Sequence, residues 1–186
     1  MNIKGKLHKE IPDVDNCIKE RRSIRSYLPR KISDEQIKEI IDAARYAPAA
    51  GNLQNLYFII VKSKKKRQEI AKACLDQLWM LEAPVFIVVC SKPARIKMFY
   101  GERGDIYSLQ GCGAAIQNML LKAHSLGLAT CWVGAFDPVK LKSILFLPED
   151  IVPEAVITLG YANESPKMPP KPRLERIVFF EEWGNK

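Results

Sequence analysis

A short basic motif near the start of the chain carries the densest set of groups suited to binding an anion. Arg21, Arg22 and Arg25 supply three guanidinium groups, and Ser23 and Ser26 add two hydroxyl groups. Guanidinium groups are permanently charged, and their forked N–H donors match the oxygen atoms of a phosphate. A solvated basic turn explains the same residues, so the motif alone favours that simpler interpretation.

A loop at residues 47–54 offers polar groups suited to the edge of a heterocycle. It follows a predicted amphipathic helix and precedes a predicted buried strand, and loops on such rigid elements often carry binding residues. The side chains of Asn52 and Gln54 provide amide donors and acceptors. Pro, Gly and Asn are also the usual residues of a helix-to-strand turn, so the loop by itself is weak evidence.

Two further segments could contact a ligand. Gly134 lies between a predicted strand and a predicted helix, where backbone N–H groups can approach a ligand closely. Lys171 and Arg173 lie in a proline-rich stretch that holds them stiffly, about one extended repeat apart. A tight turn and ordinary surface charge are the alternative interpretations of these segments.

Periodicity and capping signals predict the elements that must position these segments. Ser33 and Gln36 have the spacing of a capping box, and apolar residues follow at helical spacing. Helices are predicted over 14–20, from 33 to near 48, from 64 to before 84, over 105–126 and over 137–146, and strands over 56–61, 84–90, 129–133 and 154–161. A proline-rich arm follows, and the apolar segment after it predicts docking on a partner subunit.

Length and composition bound the class of protein. The chain has 186 residues, which suits a single domain over residues 1–186, and 29 Lys and Arg against 21 Asp and Glu give a net charge of +8. No apolar run approaches the roughly 18–20 residues of a membrane span. The first ten residues lack the apolar core of a signal peptide, so we expect a soluble cytoplasmic protein.

Charge and cysteine usage weigh against two other classes of function. A basic nucleic-acid-binding module is conceivable at pI 9.3, but the charge is spread along the chain apart from Lys64–Arg67, without interleaved aromatic residues. The five cysteines form no C-x-x-C motif and no cluster at metal-ligand spacing. We therefore expect reduced thiols, no disulfides and no metal site.

Taken together and in order, the motifs resemble the FMN-dependent nitroreductase family. The resemblance rests on residues 21–25, 43–54, 114–134, 147–153 with 159–161, and 170–173. It implies an α+β fold with a mostly antiparallel central sheet flanked by helices, in an intertwined homodimer. The core would span about residues 18–161, and residues 162–186 would form the proline-rich arm and a C-terminal segment exchanged with the partner.

The resemblance also implies which residues hold the FMN cofactor. Four groups match the family's contacts to the phosphate, the ribityl chain and the ring: Arg21, Arg22, Ser23 and Arg25; Pro48, Ala49, Ala50, Asn52 and Gln54; Val133, Gly134 and Ala135; Lys171 and Arg173. The loop at 48–54 would reach the flavin across the dimer interface. No residue is assigned as a general acid or base, because the chemistry occurs at N5 of the flavin.

The implied activity is electron transfer from NADH or NADPH to nitroaromatic, quinone or flavin acceptors, in a ping-pong cycle. Alternatives are flavin fragmentation, reductive dehalogenation, and a flavin-binding or storage protein that does not turn over. The chain departs from the family pattern at Ala49 and Ala50, where many members carry a hydroxyl residue, and at Asn55–Leu56, where Pro-Trp is frequent. The short stretch between Ser91 and Arg103 predicts an open substrate site.

Overall fold

The computed structural model describes residues 13–186 of the chain. Six helices, α1 to α6, are Val14–Glu20, Asp34–Ala44, Lys64–Ala73, Pro93–Tyr100, Arg103–Ser125 and Pro138–Leu145. Five strands, β1 to β5, are Tyr27–Leu28, Leu56–Val61, Val85–Ser91, Ala129–Val133 and Val152–Ala162. The prediction that no signal peptide is present concerns the first ten residues, which lie outside this description. Within residues 13–186, no helix is long and apolar enough to cross a bilayer.

The five strands form one antiparallel sheet in which β5 is the central element. β5 pairs with β3, β4 and β1, and β3 pairs in turn with β2. An isolated parallel bridge joins Ser23 to Thr130. Helices cover both faces of the sheet, so the predicted α+β fold with a mostly antiparallel central sheet is confirmed.

The two faces of the sheet bury two separate apolar cores. Alternate side chains of β3 point to opposite faces, with Ile87 and Val89 in one cluster and Phe86 and Val88 in the other. The first cluster packs against α2 and α5, and the second against α3 and α6. All seven residues of β3 are buried, which explains why the first six, Val85–Cys90, are apolar.

The capping box predicted at Ser33 begins helix α2. The Ser33 hydroxyl accepts a hydrogen bond from the backbone N–H of Gln36 at 3.2 Å, and the Gln36 side chain accepts one from the backbone N–H of Ser33. Replacing Ser33 by alanine should lower the free energy of unfolding by about 1 kcal/mol, because an orphan N–H loses its partner. Thermal denaturation should show a fall of roughly 2–4 °C.

The matched control for this prediction is Ser143→Ala, at an exposed position inside α6. Alanine is the better helix former there, so the control should not lose stability. Equal melting temperatures for Ser33→Ala and the unmodified protein would contradict the role given to the cap.

Helix α3 is shorter than the sequence predicts, and the prediction of one helix that starts at Lys64 and ends just before Pro84 is wrong. The helix ends at Ala73, because Leu75 and Asp76 both have positive φ angles, of 57° and 55°. A short 3-10 turn, Leu78–Glu82, completes the segment. Neither Gly nor Pro lies at the end of this helix, which explains why the sequence pattern did not predict that the helix ends there.

Two elements in the structure have no counterpart in the predictions. β1 has only two residues, and its pairing with Tyr161 and Ala162 joins positions that are far apart in the chain. Helix α4 lies in the stretch between Ser91 and Arg103, and packs closely against the start of α5. An added Cβ at Gly104 would lie 2.6 Å from the backbone of Lys97, so a residue without a side chain permits this approach.

Candidate functional site

The basic motif is held where the end of α1 meets the sheet. The Arg22 guanidinium donates to the carbonyl groups of Lys19 at 2.7 Å and of Arg21 at 2.9 Å, which satisfies carbonyls at the end of α1. The backbone N–H of Ile24 then donates to the carbonyl of Thr130 in β4 at 3.0 Å. Arg22 therefore has a structural role within the chain as well as a position in the site.

A cavity of about 600 Å³ opens between this motif and the proline-rich arm. Four of its polar lining residues are predicted site residues of the motif, and a fifth, Lys171, belongs to the arm. Among residues 13–186, six with cationic side chains line it and no residue with a carboxylate does: Lys19, Arg21, Arg22, Arg25, Lys167 and Lys171. Such a concentration of one sign of charge favours an anionic ligand.

Arg21 carries a polar atom that the described chain leaves unsatisfied. Its Nε is buried, and it has no hydrogen-bond partner within residues 13–186. Buried side-chain donors in folded proteins nearly always have a partner, and an exception often marks a binding site. An oxygen acceptor of a ligand in the cavity would satisfy this donor.

The loop at 48–54 lies at a different cavity of the same chain. Pro48, Ala49 and Ala50 line a space of about 450 Å³ together with Tyr100 and Tyr107. The loop contains a 3-10 turn over Ala50–Asn52, in which Gly51 and Asn52 have φ angles of 55° and 54°. Asn52 and Gln54 bond to each other, with Gln54 Nε2 donating to Asn52 Oδ1 at 2.9 Å. A single chain therefore does not bring this loop to the basic cavity.

The remaining predicted residues also stand apart from the basic cavity. Val133 is buried at the end of β4, whereas Gly134 and Ala135 are exposed beyond it. Gln77 approaches this segment, donating from Nε2 to the Ala135 carbonyl at 3.3 Å. Arg173 lines another surface cavity near the C-terminus, with residues 174–176 and Lys186.

Two carboxylates support the basic motif, and sequence reasoning did not identify them. Glu164, from the arm, accepts hydrogen bonds from the backbone N–H groups of Arg25 and Ser26. Glu82 accepts from the Ser26 hydroxyl and from the backbone N–H of Tyr27, both at 2.9 Å. The partners are separated by 55 to 139 residues along the chain, so no local pattern reveals them.

A buried network of hydroxyl groups fixes the motif to the sheet. The Tyr27 hydroxyl donates to the carbonyl of Ile24 and lies 2.7 Å from Thr158 Oγ1, and that Thr158 oxygen is within 3.3 Å of the Cys131 carbonyl. Burial raises the pKa of Tyr27 far above its usual value. The phenol is therefore neutral throughout the physiological range and serves as a structural donor.

The buried cysteines do not supply an activated nucleophile: burial raises the pKa of Cys131, which interacts electrostatically with Arg25 of the motif. Burial raises the pKa of Cys74, Cys90 and Cys112 to about 12, which keeps these thiols protonated at neutral pH. His124 is half-buried on α5 beside the basic motif, and burial lowers its pKa. Among residues 13–186, no group of three or more His, Cys, Asp or Glu side chains could hold a metal ion.

Two residues of the basic patch at Lys64–Arg67 make structural contacts within the chain. Lys66 Nζ donates to the Ile144 carbonyl at 2.9 Å, and Arg67 donates to the carbonyls of Leu81 at 3.0 Å and Ala83 at 2.6 Å. These contacts tie α3 to neighbouring segments. They explain the cationic character of Lys66 and Arg67 without a nucleic-acid partner.

Comparison with known proteins places this fold and motif order in one family. The sequence model of the nitroreductase family matches residues 18–81 and 76–161. The chain belongs to the nitroreductase family. The match includes the basic motif, the loop at 48–54 and the segment at 133–135, and it ends before the proline-rich arm.

Named relatives and a solved structure agree with this membership. Over 172 residues, the nitroreductase-family chain is 37% identical to a Methanothermobacter thermautotrophicus protein named as an NADH dehydrogenase/NAD(P)H nitroreductase, covering 89% of this chain and 85% of that protein. It is 30% identical over 177 residues to the FMN reductase [NAD(P)H] of Bacillus subtilis, covering 87% and 70%. The structure of the Vibrio harveyi NADPH:FMN oxidoreductase complexed with NAD+ superimposes with a TM-score of 0.84 at 25% identity, covering 93% and 79%.

Proposed function

We propose that the protein is an FMN-dependent oxidoreductase that transfers electrons from NADH or NADPH to nitroaromatic, quinone or flavin acceptors. Bound FMN would supply the redox chemistry, namely hydride acceptance from the nicotinamide and electron delivery to the acceptor. The chain's own residues bind the phosphate, orient the ring and leave one face open. The names of the relatives as FMN reductase and NAD(P)H nitroreductase support this proposal.

The observation that carries the proposal is the basic cavity, whose lining residues include Arg21 with its unsatisfied Nε. FMN ends in a phosphate, and each of its oxygen atoms accepts hydrogen bonds. The described residues leave this donor without a partner, and six cations line the cavity, of which Lys19 also pairs with Asp15 at 2.6 Å. A phosphate oxygen would satisfy Nε, and the surrounding charge would offset the phosphate's loss of hydration.

The other residues that line the cavity take complementary roles in this proposal. Ser23 and Lys171 line the same space as Arg21, and we assign both to the phosphate end. Arg25 also lines it, and its guanidinium lies 5.8 Å from the centre of the Trp79 ring. We assign Arg25 to the pyrimidine edge of the flavin, where a cation favours the electron-rich reduced form.

The complete site is proposed to form in a homodimer. The loop at 48–54 and the basic motif line separate cavities of one chain, so a second chain would supply the loop to the flavin. Exposed apolar side chains on α4 and α5 offer a surface for that second chain: Met98, Phe99, Tyr100, Ile106 and Leu109. Apolar surface of this extent is typical of an interaction site.

The C-terminal segment is proposed to be exchanged between the two chains. Its large apolar side chains are exposed within one chain, and Trp183 is 89% exposed. Strand β2 pairs only with β3 among the described strands, and its Tyr57 and Ile60 side chains are exposed. An unpaired strand edge is a template for another chain, and the segment 174–183 of the partner is a candidate occupant.

Initial-rate kinetics test the proposed function. The FMN-loaded protein should oxidise NADH or NADPH with menadione or a nitroarene as acceptor, giving parallel double-reciprocal lines as the acceptor concentration is varied. Protein stripped of FMN should be inactive and should regain the rate when FMN is added. Intersecting lines would contradict the ping-pong cycle, and absence of turnover in the loaded protein would contradict the oxidoreductase.

A further inference from the structure

The turn that follows the basic motif is held by two carboxylates at three successive backbone N–H groups. Glu164 binds the N–H groups of Arg25 and Ser26, and Glu82 binds that of Tyr27. Glu82 also accepts from the Ser26 hydroxyl. Hydrogen bonds to ionised acceptors are roughly twice as strong as neutral ones, so this turn is fixed unusually firmly.

Ser26 is also the point at which the proline-rich arm is attached. The backbone N–H of Asn163 donates to the Ser26 carbonyl at 3.0 Å, and the Asn163 side chain reaches the Ser26 hydroxyl at 3.3 Å. Asn163 and Glu164 thus bind one residue of the turn from adjacent positions of the arm. Two residues further on, Pro166 begins the part of the arm that lines the basic cavity.

The arm and the motif both line that cavity, so their attachment bears on its width. The arm contributes residues 166–169 and Lys171, and the motif contributes together with the end of α1. The arm has no regular secondary structure between Asn163 and Arg173 to hold it in place. Among the described contacts of the arm, those at Ser26 therefore lie closest to Pro166, where the part of the arm that lines the cavity begins.

The position of Glu164 is unfavourable for anion binding on charge alone. A carboxylate beside a cationic site weakens the attraction for a phosphate, and Glu164 bonds directly to the backbone of the motif. Any gain in ligand affinity from Glu164 must therefore come from the hydrogen bonds that it accepts. Glu164 therefore has two separable effects on phosphate binding. Its hydrogen bonds position the backbone, which a neutral acceptor could also do. Its negative charge repels the phosphate, which a neutral acceptor would not do.

We propose that Glu164 is a positioning residue that joins the proline-rich arm to the motif and thereby makes the site selective for phosphorylated flavin. It holds Lys171 opposite Arg21, so that both cations meet the same phosphate group. Riboflavin, which has the same ring and no phosphate, gains nothing from this arrangement. The inference rests on the proposed binding of FMN.

The test compares the dissociation constants of FMN and riboflavin, measured by quenching of flavin fluorescence. In Glu164→Ala, FMN affinity should fall by about tenfold, on the scale of a lost charge-assisted hydrogen bond, with riboflavin affinity unchanged. In Glu164→Gln, the amide oxygen still accepts from both N–H groups and the negative charge is gone, so FMN affinity should equal or exceed that of the unmodified protein. Glu149→Ala removes an exposed carboxylate elsewhere and should change neither constant.

Three results would overturn the inference. Unchanged FMN affinity in Glu164→Ala would contradict the positioning role. A loss of FMN affinity in Glu164→Gln equal to that in Glu164→Ala would show that the effect does not depend on the acceptor oxygen. Equal losses for FMN and riboflavin, with a lower melting temperature, would show a merely structural role. Unmodified protein that binds neither flavin would instead overturn the proposed function, and this inference with it.

Discussion

Replacing Arg21 by alanine is expected to weaken FMN binding by about 10- to 100-fold. The buried Nε has no partner within residues 13–186, so the ligand's phosphate would be its acceptor, and hydrogen bonds to charged groups contribute about 1.5–3 kcal/mol. Isothermal titration of FMN-free protein with FMN measures the change. Arg21→Lys should recover only part of the affinity, because an ammonium group lacks the forked geometry of guanidinium.

Arg45→Ala is the matched control for this substitution. Arg45 lies just after α2, is exposed, pairs at 3.4 Å with Asp42 of the same helix, and lies 5.9 Å from the centre of the Tyr46 ring. Removing it changes the net charge by the same amount as removing Arg21, so a non-specific electrostatic effect would appear in both variants. Equal FMN affinity in Arg21→Ala and the unmodified protein would contradict the assignment of the basic cavity to the phosphate.

Ending the chain at Arg173 is expected to abolish the dimer. The removed segment carries five large apolar side chains that a single chain leaves exposed: Leu174, Ile177, Val178, Phe180 and Trp183. Burial of such side chains between subunits is a main source of stability in obligate dimers. Sedimentation velocity should therefore show a dimer for the full chain and monomer or aggregate for the truncated chain, and the truncated chain should lose FMN.

A shorter truncation provides the control for the C-terminal segment. Ending the chain at Trp183 removes only Gly184, Asn185 and Lys186, which are exposed and include no large apolar side chain. This variant should remain dimeric and retain FMN. A chain ending at Arg173 that is fully dimeric and loaded with FMN would contradict exchange of the segment.

The fold was predictable from sequence wherever local signals determine structure. The capping box at Ser33 and the long apolar run of β3 each specify an element through neighbouring residues. The end of α3 was not predictable, because the left-handed backbone occurs at Leu75 and Asp76 and not at the Gly or Asn that usually indicates a helix end. β1 was missed since two residues carry too little pattern and its partner strand lies more than a hundred residues away.

The candidate site was predictable in its residue types but only partly in its assembly. The motif at residues 21–25 and Lys171 do line one cavity, although nothing local to either segment encodes their approach. The approach follows from the pairing of β1 with the end of β5, which places the arm beside the motif. Glu82 and Glu164 were not found, because a carboxylate that binds distant backbone N–H groups looks like any surface carboxylate in the sequence.

The most direct test of the central claim is an anaerobic visible absorption spectrum of the purified protein, reconstituted with FMN where necessary. The proposal predicts flavin absorption bands that bleach when NADH or NADPH is added and that return when menadione or a nitroarene follows. The nucleotide that bleaches the bands identifies the electron donor. Bands that persist with both nucleotides, or a protein that binds no FMN on reconstitution, would contradict the proposed function.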